Sequence, residues 1–133
     1  MLEQNKELVR RFYEAGTGDP SKMEAIVAED FVDHHWLPGM PPGVESCCRW
    51  FTEVLASVFS DMKIVIDFML AEGDKVDCHF ALQAKHTGEF AGIKPKGNVI
   101  ALPAISTFRI AGGKLVEAWE LYDSGELLRQ LQA

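Results

Sequence analysis

No cluster of lysine or arginine occurs in this chain, and 20 acidic residues against 13 basic ones leave a formal charge of −7. A polyphosphate would be repelled, which excludes nucleic acid as a partner. The same lack of a basic run argues against an anionic lipid surface, and no apolar stretch approaches the roughly 20 residues of a membrane-spanning helix. The amino terminus, Met1 to Glu7, is of mixed charge and lacks the basic-then-apolar order of a secretory signal, so a cytoplasmic location is expected. Cys47, Cys48 and Cys78 form an odd set with no metal-ligand spacing and are expected to be free thiols. Metal binding is not expected either, since there is neither His-x-x-x-His nor Cys-x-x-Cys, and the adjacent His34 and His35 cannot easily turn both rings to one ion. A glycine loop for phosphate and a serine elbow are likewise missing, which argues against nucleotide binding and serine-nucleophile chemistry.

What is present is enough for one core. With 133 residues, 47% of them hydrophobic, a single domain over residues 1–133 is expected. Leu8, Phe12 and Ala15, with Val9 and Tyr13 beside them, predict a first helix ending at Gly16-Thr17-Gly18-Asp19-Pro20. Ser21 and Glu24 form a capping-box pattern that predicts a short second helix to about Glu29. A brief extended piece, Phe31 to His34, precedes a loop rich in proline and glycine up to Gly43. Val44, Cys48, Phe51, Leu55 and Val58 advance by four and three, the period of a third helix.

From Lys63 the period becomes two. Ile64, Ile66, Phe68 and Leu70 fall on one face, and Glu72-Gly73-Asp74-Lys75 turns the chain into a strand from Val76 to about His86. A loop leads to a long strand, Asn98 to Ile110, in which Pro103 predicts a bulge or an edge. A last strand, Leu115 to Asp123, leads into a closing helix, Glu126 to Leu131. Three helices followed by an antiparallel meander imply an α+β fold.

Strict alternation in the last strand puts Leu115, Glu117, Trp119, Leu121 and Asp123 on one face, and Val116, Ala118, Glu120 and Tyr122 on the other. A carboxylate among apolar neighbours is a candidate acid/base group, because desolvation raises its pKa. Asp123 is that candidate, although its side chain could equally cap the final helix. His34 and His35 could, with Trp36, wall a cavity mouth, though only one of the pair can share a face with Phe31 or Val32; His79 and His86 lie in or at the end of a strand, where a hydrogen-bonded core role is the common alternative.

Several phrases, in order, resemble the SnoaL-like polyketide cyclases of the NTF2-like superfamily. They are Asn5 to Tyr13, Phe31-Val32-Asp33-His34, Leu37-Pro38-Gly39 with Pro42-Gly43, Ala71 to Val76, His86 to Phe90, Phe108-Arg109-Ile110, and Glu117-Ala118-Trp119 with Asp123 and Leu127 to Leu131. The resemblance implies a cone-shaped fold, with a curved antiparallel sheet wrapped by three amino-terminal helices around an apolar pocket. It also implies a cofactor-independent aldol cyclisation or isomerisation of a small hydrophobic carbonyl compound, and a homodimer or higher homo-oligomer. On that resemblance Asp123 is the proton shuttle and His86 its assistant, with Tyr13, His34, Trp36, Phe51, His79, Phe108, Glu117 and Trp119 around the substrate. Superfamily relatives also point to a non-catalytic ligand-binding or oligomerisation module, or to an epoxide hydrolase or dehydratase with a second polar partner beside Asp123. The chain departs from the family where Ala118 replaces a common histidine and where the glycine after the aspartate is displaced to Gly125.

Overall fold

The computed structural model describes residues 1–133. The apolar stripe of the first segment is buried as its period requires, with Leu8, Val9, Phe12, Tyr13 and Ala15 inside helix α1 (Leu2–Thr17). The following turn is capped by Asp19, not Ser21: the Asp19 carboxylate accepts from the Ser21 N–H at 3.1 Å and opens a six-residue 3-10 turn, Pro20–Ala25. The predicted helix to Glu29 does not form, because the chain is already extended in strand β1 (Val27–Asp33). Ile26 and Val27 are β-branched and buried, and strand pairing outweighs the local helical pattern there.

Helix α2 (Val44–Arg49) continues as a wider π turn over Trp50–Leu55. Four strands follow: β2 (Phe59–Glu72), β3 (Lys75–His86), β4 (Val99–Ala111) and β5 (Lys114–Tyr122), and helix α3 (Ser124–Gln132) closes the chain. The sheet order is β1-β5-β4-β3-β2, with β1 parallel to β5 and every other pair antiparallel. Helices α1 and α2 cover one face of this sheet, where Phe12 meets the rings of Tyr13, Phe31, Phe51 and Phe108. Leu127 and Leu131 of α3 bury against Phe59, Leu82, Ile100 and Leu102 and complete a second, smaller core.

Two bulges break the alternation that the sequence suggests. In β2, Ile66 pairs with Phe80 but Phe68 pairs with His79, so Asp67 is an extra residue. Phe68 and Leu70 therefore leave the face of Ile64 and Ile66 and are exposed, while Met69 turns inward. In β5, Arg109 pairs with Glu117 but Ile110 pairs with Leu115, so Val116 is the extra residue. Leu115 thus shares the inner face with Ala118, Glu120 and Tyr122, whereas Glu117, Trp119 and Leu121 point outward. Pro103 produces neither bulge nor edge: β4 is interior and its register with β3 is unbroken from Val99 to Arg109. The Pro103 carbonyl accepts from the Asp123 N–H at 3.1 Å, and β5 ends at Tyr122, so the missing proline N–H faces a strand that has stopped.

Gly88 is where the loop after β3 crosses the end of the helical segment. The N–H groups of Thr87 and Gly88 both donate to the Val58 carbonyl at 2.9 Å, and a Cβ on Gly88 would sit 1.7 Å from the Ser57 carbonyl oxygen. Backbone meets backbone here, so no rotamer can relieve the clash. Gly88→Ala is expected to destabilise the fold by roughly 1–3 kcal/mol, read from the denaturant midpoint. An unchanged midpoint would show that this crossing is not fixed.

Candidate active site

Between the helices and the inner sheet face lies a cavity of about 370 Å³, within the ~300–1,000 Å³ range of small-molecule sites. At ~30 Å³ for each water-sized unit it would take about a dozen of them. Of its 25 lining residues, 20 are hydrophobic, and the other five are Asp33, His35, Ser57, Ser106 and Glu120. All but Ser57 belong to one connected polar group.

Its centre is His35, just past the end of β1. The His35 backbone N–H donates to Asp33 Oδ1 at 3.1 Å, and its ring Nδ1 meets the same oxygen. An Asp-x-His spacing at a strand exit lets one carboxylate oxygen hold both backbone and ring. On the opposite side, ring Nε2 lies 2.8 Å from Glu120 Oε2. That approach is off the ring N–H axis, so the buried Nε2 lacks an aligned acceptor. Glu120 Oε1 accepts from the Ser106 hydroxyl at 2.9 Å, and Ser106 Oγ accepts from the Tyr13 hydroxyl at 2.7 Å. The edge of the Trp50 ring packs on His35, with centroids 4.6 Å apart.

Burial alone would depress the His35 pKa. The hydrogen bond with Asp33 and the interaction with Glu120 outweigh it and raise the value to about 9. Asp33 moves up because burial disfavours its anion, despite the opposing pull of His35. At neutral pH His35 therefore keeps its proton, and it stands between the Asp33 and Glu120 carboxyl groups at one end of a greasy chamber. His35 separates the carboxylates through opposite ring nitrogens, and no group of three metal-capable side chains converges.

Of the residues nominated from sequence, Tyr13, Trp36, Phe51 and Phe108 line the cavity. His34, His79, His86, Glu117, Trp119 and Asp123 do not. His34 and Glu117 form an outer-face pair at 2.6 Å, and Arg109 donates to the other Glu117 oxygen at 2.8 Å. These two partners, His34 first, hold the Glu117 pKa below its usual value. The His34 ring stacks on Trp119, and the His79 ring stacks on Phe68. His86 is fully buried outside the cavity, with no hydrogen-bond partner for either ring nitrogen.

Asp123 is exposed and caps α3 by accepting from the Glu126 N–H at 3.0 Å. It borders a wide, open cleft on the outer sheet face, and Arg109 is engaged by Glu117 instead. His79 lines the same cleft, and the Asp123 carboxylate accepts no hydrogen bond from it, from His86 or from Arg109. Asp123→Ala is expected to cost about 1 kcal/mol through the lost cap, and Asp123→Asn close to nothing; thermal unfolding of both variants checks this.

A family profile described as SnoaL-like polyketide cyclase matches residues 7–131. This chain belongs to the SnoaL-like polyketide cyclase family. Among solved structures, the family member described here is similar to IdmH from Streptomyces antibioticus, with 26% identity, a TM-score of 0.84, and coverage of 98% of this chain and 99% of that one. It is similar to TsrD from Streptomyces laurentii at 25% identity and a TM-score of 0.80, covering 97% of this chain and 95% of that one. A SnoaL-like polyketide cyclase from Agrobacterium tumefaciens shares only 11% identity but has a TM-score of 0.81, covering 96% of this chain and 97% of that one. That last likeness shows the fold alone. No protein of curated function matches the chain. For a SnoaL-like chain, the residues that sequence inspection passed over are Asp33, Ser106 and Glu120, while His35, considered there only beside His34 as a cavity wall, is the hub.

Proposed function

We propose that this SnoaL-like protein is a cofactor-independent acid/base enzyme that cyclises or isomerises a small hydrophobic carbonyl compound, with Glu120 and His35 as the reacting pair. The observation that carries the proposal is the buried His35 Nε2, charged but without an aligned acceptor, beside a carboxylate in an otherwise apolar chamber. A carboxylate there can remove a proton from carbon next to a carbonyl, while the imidazolium hydrogen-bonds the enolate oxygen. In an aldol closure the enolate carbon then bonds to a second carbonyl carbon. His35 delivers its proton to the new alkoxide, and the proton held by Glu120 returns to His35. One proton leaves carbon and one arrives on oxygen, so no outside acid, base or oxidant is consumed. The aromatic walls favour a flat ligand, held folded so that the two carbons meet.

The test is deuterium incorporation from heavy water into an aryl β-keto ester, at the carbon between its carbonyls, above the buffer background. Exchange that saturates with ester concentration is the expected result. Binding of the ester with no exchange is what a module that merely holds its ligand would give, and it would sink the catalytic reading.

We further infer that the outer sheet face pairs with a second copy of the chain. The register aligns Leu121, Ile105, His79 and Phe68 in one row across four strands, and Leu121 is 79% exposed. Leu121→Asp is expected to leave a monomer in sedimentation experiments where the unaltered chain is a dimer. A monomeric parent chain would remove this inference.

A further inference from the structure

Glu120 has three rotatable bonds, and its contact with His35 is not along the ring N–H, so the pair does not hold its own geometry. Something else must fix the carboxylate. Ser106 stands directly opposite Glu120 in the β4–β5 register, both facing inward, and its hydroxyl reaches Glu120 Oε1 at 2.9 Å. Tyr13, from α1 above the sheet, reaches Ser106 Oγ at 2.7 Å. Tyr13 and Ser106 are both buried.

The direction of this line is settled by hydrogen supply. Burial, and then the charge of Glu120, raise the Tyr13 pKa well above its usual value, so the phenol stays protonated and acts as a donor. With that donor on its oxygen, the single hydrogen of Ser106 is turned to the carboxylate. A carboxylate oxygen that accepts this bond is anchored, which leaves Oε2 on the side of His35.

We propose that Tyr13 and Ser106 are positioning residues for Glu120, a one-way hydrogen-bond line from α1 through β4 that aims the second carboxylate oxygen at His35. The inference rests on the reading of Glu120 and His35 as the acid/base pair. It explains why a serine and a tyrosine hydroxyl are placed deep in an apolar core: together with Glu120 they satisfy one another and need no water. The line ties the geometry of the reacting carboxylate to the seating of α1, more than a hundred residues earlier in the chain.

The readout is the titration of the His35 ring, followed by nitrogen-15 NMR of the full-length protein, with the signal assigned by a His35→Gln variant. The charged groups facing that ring are Asp33 from β1 and Glu120 from β5, with Cys47 and Tyr13 beyond them. Glu120→Gln removes one of the two anions and is expected to lower the midpoint by about one unit or more. Ser106→Ala, in which the carboxylate is free to swing away, is expected to move the midpoint in the same direction. Tyr13→Phe is expected to do so to a smaller extent, and Ser106→Thr to restore the original value by returning the hydroxyl. If Ser106→Ala does not fold, judged by its amide spectrum, Tyr13→Phe carries the test, since it deletes only one oxygen.

A midpoint that falls in Glu120→Gln but stays unchanged in Ser106→Ala and Tyr13→Phe overturns the positioning role and leaves the acid/base pair standing. A midpoint unchanged in Glu120→Gln itself overturns the pair, and the positioning role with it.

Discussion

Glu120→Gln is expected to slow exchange and ring closure by about 10²- to 10⁴-fold, the usual contribution of a placed acid/base group. That loss corresponds to roughly 3–5 kcal/mol of transition-state stabilisation. It should appear in kcat with little change in KM, because glutamine keeps the volume and the acceptor oxygen but cannot take a proton. Asp123→Asn, by contrast, should stay within about twofold of the parent, since asparagine caps a helix as well as aspartate does. The two variants bear directly on the choice between the carboxylate that the sequence favours and the one that the cavity holds. Full activity in Glu120→Gln with collapse in Asp123→Asn would return the chemistry to Asp123 and the open cleft beside it.

The second large effect concerns alkaline stability. His35 binds its proton more tightly in the folded chain, at about 9 against 6.5 when unperturbed. The stabilisation from that protonation is complete below pH 6.5 and is lost as the pH climbs through about 9. Its upper bound is about 3 kcal/mol, from about 1.4 kcal/mol per pKa unit. Asp33 also has a raised value, so its stabilising contribution belongs to the protonated form and is lost as the pH rises above the usual carboxylate range. Cys47 and Cys78 are pushed up by burial, Cys78 to about 12, and they add a loss of the same sign at high pH. The quantity to measure is therefore the difference between the parent and His35→Gln in unfolding free energy from pH 6 to pH 10. That difference should shrink steadily toward the alkaline end. A constant difference would mean that His35 is neutral in the folded protein at pH 7 and would remove the imidazolium from the mechanism.

The parts of the fold that were legible in the sequence are those governed by a local period. The stripe from Leu8 to Ala15 and the advance from Val44 to Leu55 mark helices, because a buried face at 3.6 residues per turn needs no knowledge of what covers it. The hairpin at Gly73 and Asp74 is legible for the same reason. The short segment near Ile26 is not, since its strand exists only by pairing with β5, almost ninety residues away in the sequence.

The polar group of the cavity was hidden by the same kind of long-range fact. Strict alternation placed Glu120 with the residues opposite Leu115, and only the pairing with β4 reveals the extra residue at Val116. His34 was preferred over His35 because it completes the strand pattern, but the Asp33 turn carries the next ring inward. Family resemblance implies an apolar chamber, and Tyr13, Trp36, Phe51 and Phe108, which it places around the substrate, line the cavity. The inner carboxylates follow from register, which no single strand displays.

Val116 therefore works as a frame-setting residue. A chain lacking it would alternate plainly from Leu115 and keep Trp119 outside and Glu120 inside, whereas pulling the bulge flat with the residue retained would drive the Trp119 ring toward the core and Glu120 out into water. Anyone grafting this strand into another scaffold has to count residues from the helix that follows and not from the Leu115 side, because the alternation is unbroken only from Glu117 to Tyr122.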